Sequence, residues 1–154
     1  MLLPHAPYVT RPSDLGMRPT VVVGTDLVKI AEVAAAVGRF GDRYIQRLYT
    51  TGEIRDCVSG NPSTTANRLA ARFAAMEATC KAMRIGDDAV DLRGIEVQRR
   101  EGGWCEIVLH GGAASLADRA GVTALSLSTS HAGEYATAVV IAQLAPPVVH
   151  LNGS

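Results

Sequence analysis

Arg68-Leu-Ala-Ala-Arg-Phe-Ala-Ala-Met-Glu-Ala-Thr-Cys-Lys81, extended by Ala82-Met83, is the stretch that decides how this chain folds. Its alanines and other strong helix formers predict a helix on propensity alone. Leu69, Phe73, Met76, Cys80 and Met83 recur at steps of four and three and draw one apolar stripe. At about 100° per residue, Ala70, Ala74, Glu77 and Lys81 fall on one flank of that stripe. Small residues there let a second backbone approach. They bring it against Glu77 and Lys81, which are surface neighbours one turn apart. Taken alone, the two charges read either as a solvated ion pair or as part of a site.

The chain has 154 residues, about one domain. Apolar residues make up 47% of it and aromatics only 5%, so the expected core is built from alanine and valine rather than rings. Fifteen basic residues balance fifteen acidic ones, which gives no reason to expect nucleic acid or an anionic membrane as partner. Cys57, Cys80 and Cys105 are odd in number and far apart, with no CxxC pair. Neither a zinc site nor a disulfide framework is indicated, and reduced thiols in a cytoplasmic protein are expected. No apolar run is long enough to cross a bilayer. Residues 1–19 lack the basic start and apolar region of a signal peptide and read as a loose extension. Residues 20–145 read as a single domain and 146–154 as a tail.

Val21-Val-Val-Gly-Thr-Asp-Leu-Val28 opens with a β-branched run, the mark of a buried strand, and Gly24 lets another element come close. Asp26 follows as either a helix cap or a ligand for something held there. Ile30, Val33, Ala34 and Val37 predict a helix ending at Gly38. Arg39, Arg43 and Arg47 then recur every four residues with Tyr44 and Leu48 interleaved, a basic face suited to an acidic partner or simply to solvent. Thr50-Thr-Gly-Glu53 resembles a capping box and should start a helix at Thr50. Ser59 to Ser63 reads as a loop, with Thr64 or Thr65 capping the central helix.

Ile85 to Ala89 reads as a turn. Ile95 to Gln98 and Trp104 to Leu109 alternate on either side of Glu101-Gly-Gly103 and predict a hairpin. A short helix is expected over Gly111 to Ala120, ending at Gly121. Two strands follow, Ala124 to Ser128 and Tyr135 to Ala142, joined by a turn that contains His131. The expected class is α+β: an antiparallel sheet packed against one long central helix, plus smaller helices.

Asp26, Glu77 with Lys81, and His131 are thus the candidates for chemistry. Two carboxylates from separate elements suit a hard divalent ion such as Mg²⁺, which keeps waters and takes other oxygens from phosphates. A lysine one turn away can neutralise phosphate charge.

Four segments resemble one known family, the holo-(acyl-carrier-protein) synthases, small 4′-phosphopantetheinyl transferases. Val23-Gly-Thr-Asp-Leu-Val28 looks like the family's Gly-x-Asp opening, and Arg47-Leu-Tyr-Thr with Glu53 is similar to its Arg-x-x-Thr followed by Glu. Leu69 to Ala78 with Lys81-Ala resembles its central Arg-Phe-Ala-x-Lys-Glu-Ala-x-x-Lys-Ala. Ser126-Leu-Ser-Thr-Ser-His with Glu134-Tyr-Ala resembles its closing Ser-x-x-His. The resemblance covers residues 20–143. It implies transfer of phosphopantetheine from coenzyme A to a serine of an acyl carrier protein, with release of adenosine 3′,5′-bisphosphate. It also implies Mg²⁺ on Asp26 and Glu77, with Lys81 assisting departure of the bisphosphate. Arg72, Lys81, Arg84, Gly86 and His131 would bind coenzyme A. Arg39, Arg43 and Arg47 would dock the carrier protein. A homotrimer with sites at subunit junctions is implied as well, and the apolar strands Leu125 to Leu127 and Val139 to Ile141 agree with it.

The chain departs from the pattern at three places. Met76 stands where the family has lysine, Arg84-Ile-Gly86 replaces a glycine-rich turn, and Glu32 lies where a basic docking residue is expected. These changes bear on coenzyme A affinity and carrier choice. They leave open an enzyme specialised for a polyketide-type carrier, and a carrier-binding homologue with weakened catalysis.

Overall fold

The structure, a computed structural model, describes residues 20–86 and 90–146. The expected extension 1–19, most of the tail, and Asp87 to Ala89 of the expected turn lie outside the described residues. The element order is β1 (Val21–Lys29), α1 (Ile30–Phe40), α2 (Asp42–Leu48), α3 (Thr51–Cys57), α4 (Pro62–Ala82), β2 (Ile95–Arg99), β3 (Cys105–Leu109), α5 (Gly111–Ala120), β4 (Val122–Ala132) and β5 (Tyr135–Leu144). The class is α+β, as expected. The strands form two antiparallel sheets rather than one, β1-β5-β4 and the β2-β3 hairpin.

The central helix is longer than its apolar stripe. Asn61, not Thr64 or Thr65, caps it: the Asn61 side chain accepts from the Ser63 and Thr64 amides at 3.0 and 3.3 Å. Pro62 at the first helical position has no amide to leave unsatisfied and holds φ ready for the helix. Thr65 instead accepts from the Ser59 amide at 3.0 Å and closes the preceding loop. Leu69, Met76 and Met83 are buried, and so are Ala70, Ala71, Ala74, Ala75, Ala78 and Ala82. A helix buried on so many sides is enclosed by its neighbours rather than laid on a surface. Burying Leu69 and Met76 stabilises the fold by about 2 kcal/mol each, and the alanines allow close approach. At Gly24 of β1 that approach reaches its limit, because a Cβ there would overlap the Ala78 carbonyl and stand 2.6 Å from the Ala82 nitrogen.

β1 is not buried on both sides. Val22, Gly24 and Val28 face α4, while Val21, Val23 and Leu27 are exposed. The cause is the antiparallel sheet, which has a helix on one face only. Tyr135, Val139 and Ile141 of β5 continue the open face, paired with Lys29, Thr25 and Val23. Leu125 and Leu127 lie on the covered side, opposite Ala142 and Val140.

Three other expectations change. α1 runs through Gly38 and stops at Gly41, whose φ of 57° ends the helix. That break divides the arginines between helices, Arg39 on α1 and Arg43 with Arg47 on α2. The β4-β5 connection is shorter than expected, so His131 lies on β4, paired with Ala136, and not in a turn. The capping box, the hairpin and α5 with its left-handed Gly121 form as expected.

Candidate active site

Asp26 sits within β1, opposite Ala138. Ala138 is buried against α4, and directly paired residues share a sheet face, so Asp26 points toward the helix. It is not a helix cap. α1 starts four residues beyond it, and Lys29 at its N-cap makes no side-chain capping bond. Gly24, two residues earlier on the same face, presses β1 against Ala78 and Ala82 and so sets Asp26 beside the last turn of α4.

Lys81 meets it there. The Lys81 ammonium donates to Asp26 Oδ1 at 2.8 Å and to the Thr25 carbonyl at 3.0 Å. The Asp26 side chain is 16% exposed and that of Lys81 is 55% exposed. The Asp26 hydrogen bond, with smaller help from the charges of Asp26 and Glu77, raises the Lys81 ammonium above the ordinary lysine value. Glu77 therefore acts on the same ammonium, one turn earlier on α4. Asp26 and Lys81, from two elements, are thus in direct contact, with Glu77 one turn earlier on the same helix.

The remaining expected residues are placed differently. His131 shares the helix-facing side of the sheet, because its partner Ala136 is also buried. It stands two strands from Asp26 in the order β1-β5-β4, roughly 10 Å across the sheet at the usual strand spacing. Arg72 does not join the cluster within one chain. Nine residues separate it from Lys81, which puts it roughly on the opposite side of the helix. It is buried, its Nε has no partner among the described residues, and its charge acts on Glu53 and Cys57.

Arg84 and Gly86 are exposed just past the helix end. The Arg84 amide bonds to Lys81 O at 3.1 Å and the Ile85 amide to Cys80 O at 3.0 Å, the two bonds of a Schellman cap. Arg84 holds the left-handed position of that cap, at φ 55°. Glycine is the usual residue there, because it has no Cβ to strain.

Arg39, Arg43 and Arg47 are all exposed. A depression of about 780 Å³ lies at Arg43 and Arg47, lined by them with Phe40, Tyr44, Gln46 and Leu48. The Arg39 guanidinium rests 5.1 Å from the centre of the exposed Phe40 ring. The Asp26–Lys81 pair lies outside this depression and outside the one of about 560 Å³ beside α5. Its Lys81 end is exposed in the single chain, while Asp26 is largely covered.

Sequence reasoning missed one network. His110 meets Glu96 Oε2 at 2.7 Å, and Glu96 also accepts from Thr50 and Gln98. Burial works to raise the Glu96 carboxyl, but these hydrogen bonds together hold it below the ordinary value. Glu53, fully buried, accepts from the Thr50 and Val97 amides, both at 3.0 Å. The capping box thereby ties α3 to the hairpin. Only its Thr50-to-Glu53 half was visible in the sequence.

Among the described residues no cluster of three or more His, Cys, Asp or Glu side chains gathers to hold a metal. Asp26 and the Thr25 carbonyl nonetheless already hold one cation, the Lys81 ammonium, and the Glu77 carboxylate follows one turn away on α4. Such donors fit a hard divalent ion that takes its other ligands from water or a phosphate.

Residues 22–140 match the family described as the 4′-phosphopantetheinyl transferase superfamily. The chain belongs to that family. It is 43% identical over 119 residues to the holo-[acyl-carrier-protein] synthase of Koribacter versatilis, covering 77% of this chain and 94% of that protein. The synthase of Gloeobacter violaceus is 42% identical over 118 residues, with 77% and 89% covered. Among solved structures, the Chronobacterium ammoniagenes ACPS-CoA complex superposes with a TM-score of 0.72 at 30% identity, over 82% of this chain and 99% of that one. The Helicobacter pylori holo-[acyl-carrier-protein] synthase in complex with coenzyme A gives 0.68 at 27%, over 79% and 99%. This transferase is therefore an enzyme of the holo-[acyl-carrier-protein] synthase type, with the fold of its relatives.

Proposed function

We propose that the chain transfers 4′-phosphopantetheine from coenzyme A to a serine of an acyl carrier protein and releases adenosine 3′,5′-bisphosphate. The observation that carries this reading is the Asp26–Lys81 contact between β1 and α4, with Glu77 one turn earlier on the same helix, in a chain related to holo-[acyl-carrier-protein] synthases. The serine oxygen forms a bond to the phosphorus that bears pantetheine, and the bond to the bisphosphate oxygen breaks. The serine proton passes to solvent or to a nearby carboxylate.

Asp26 and Glu77 would hold Mg²⁺, which when bound neutralises charge on the pyrophosphate. Lys81 places a positive charge where the leaving bisphosphate gathers its own. His131, exposed on the same side of the sheet, would donate to phosphate, and Arg84 and Gly86 would border coenzyme A beyond the helix end. Arg72, buried behind α4, would act on coenzyme A only through the shape of the helix. Arg43 and Arg47 line a largely apolar hollow, and Arg39 stands beside it against Phe40; these cations suit an acidic carrier of the fatty-acid or polyketide type.

The reading includes a homotrimer with sites at subunit junctions. It is supported by the open apolar sheet face of Val21, Val23, Leu27, Tyr135, Val139 and Ile141, and by the exposure of Lys81 in one chain. Nothing in the site favours the alternative of an inert carrier binder, since Met76 leaves the two carboxylates and Lys81 in place. The test is transfer of a fluorophore-labelled pantetheine arm from coenzyme A to an apo-carrier with Mg²⁺. Label is expected on the carrier, and none on a carrier whose acceptor serine is alanine. Equal labelling of both carriers, or of neither, overturns the reading.

A further inference from the structure

The Lys81 ammonium rests on the oxygens that the metal reading assigns to a divalent ion. It donates to Asp26 Oδ1 at 2.8 Å and to the Thr25 carbonyl at 3.0 Å, with Glu77 one turn away. A carboxylate and a backbone carbonyl are ordinary ligands of a hard cation. We propose that Lys81 is a place-holder: without a nucleotide its ammonium fills the cation position, and a divalent ion binds to Asp26 only as Lys81 lets go. This deepens the proposed function and rests on its metal reading.

The geometry makes the exchange easy on one side and costly on the other. The Asp26 side chain is largely enclosed, and the Gly24 contact holds its strand against α4, so it has little room to turn away. Lys81 is mostly exposed on a flexible stem, so it can swing out. A pyrophosphate offers the released ammonium a new anionic partner. Metal and coenzyme A should therefore favour each other's binding, and such coupling is reciprocal. The metal alone has to compete with the lysine and should bind weakly. The arrangement keeps the site electrically satisfied at rest and commits Lys81 to the phosphate only when both substrate and metal have arrived.

The experiment is calorimetric titration of Mn²⁺, standing in for Mg²⁺, into the full chain without nucleotide. Lys81→Met removes the ammonium and keeps most of the stem. It is expected to bind Mn²⁺ about fivefold more tightly, the equivalent of releasing an exposed ion pair of about 1 kcal/mol. Lys29→Met removes one charge from the exposed end of the same strand, away from Asp26, and is expected to change affinity less than twofold. In the unmodified chain, acetylation of Lys81 read by peptide mass spectrometry is expected to rise when Mn²⁺ is added. If Asp26→Asn abolishes Mn²⁺ binding but Lys81→Met does not tighten it, or tightens it no more than Lys29→Met, the place-holder is overturned and the metal reading stands. If no chain binds Mn²⁺ and acetylation of Lys81 is unchanged, both fall.

Discussion

Gly24 and Ala78 touch backbone to backbone, so closely that a side chain on Gly24 would overlap the Ala78 carbonyl oxygen. The contact fixes the height of α4 over β1, and the site depends on that height. Asp26 lies two residues along the strand and Lys81 three residues along the helix, and they meet at 2.8 Å.

Gly24→Ala should therefore act on stability and site together. The added methyl meets backbone, which cannot rotate aside, so a loss of about 1–3 kcal/mol is expected. Urea unfolding measures it. A midpoint equal to the parent's would mean that the helix yields freely, and that Gly24 does not position Asp26.

Arg84→Gly should have the opposite effect on stability. Arg84 holds a left-handed conformation that costs a residue with a Cβ about 1 kcal/mol. Glycine should recover that amount as a higher urea midpoint. KM for coenzyme A should rise if the guanidinium reaches the nucleotide. No gain in stability would show that the Schellman cap is not strained.

The legible parts of the fold were those written locally. Thr50 and Glu53 satisfy each other's backbone within four residues, so α3 could be placed from sequence. What depended on distant packing was not legible. Gly38 and Gly41 look alike in the sequence, but only Gly41 takes a positive φ, and that splits the arginine row between two helices. The polar Ser130-His131 pair reads as a turn, yet strand pairing with β5 carries it on to Ala132. Asp26, Glu77 and Lys81 were identified from residue type and spacing with a family resemblance. Their meeting depends on Gly24, whose role as a contact point was only suggested. Arg72 shows the limit: its place in the motif gives no sign that it is buried on the side of α4 away from Lys81.

Met76→Lys brings back the family's lysine, but Met76 is fully buried here. An ammonium at that depth must reach out along its stem or lose several kcal/mol to desolvation. A marked drop in the urea midpoint is expected, whereas Met76→Leu should cost less than about 1.5 kcal/mol. A Met76→Lys chain as stable as the parent would mean that the position opens to solvent in the assembled protein.

Glu96 links stability to pH. Its carboxyl is held below the ordinary value, so its contribution is present above the unfolded pKa of about 4.3 and is lost as pH falls through the folded value. Glu96→Gln should cost about 1 kcal/mol at pH 7, and the difference should shrink only as the pH falls below the unfolded value and through the lower folded one. A difference that persists unchanged at low pH would assign the effect to packing rather than charge.

The central claim is that Asp26 and Glu77 together make this chain a phosphopantetheinyl transferase. Intact-protein mass spectrometry of an apo-acyl carrier protein, incubated with coenzyme A, Mg²⁺ and the enzyme, tests it most directly. The carrier is expected to gain the mass of one phosphopantetheine arm with the parent chain. It should gain none with Asp26→Asn or Glu77→Gln, each shown to be folded by circular dichroism. Undiminished transfer by either variant, or none by the parent at saturating coenzyme A and Mg²⁺, would contradict the account.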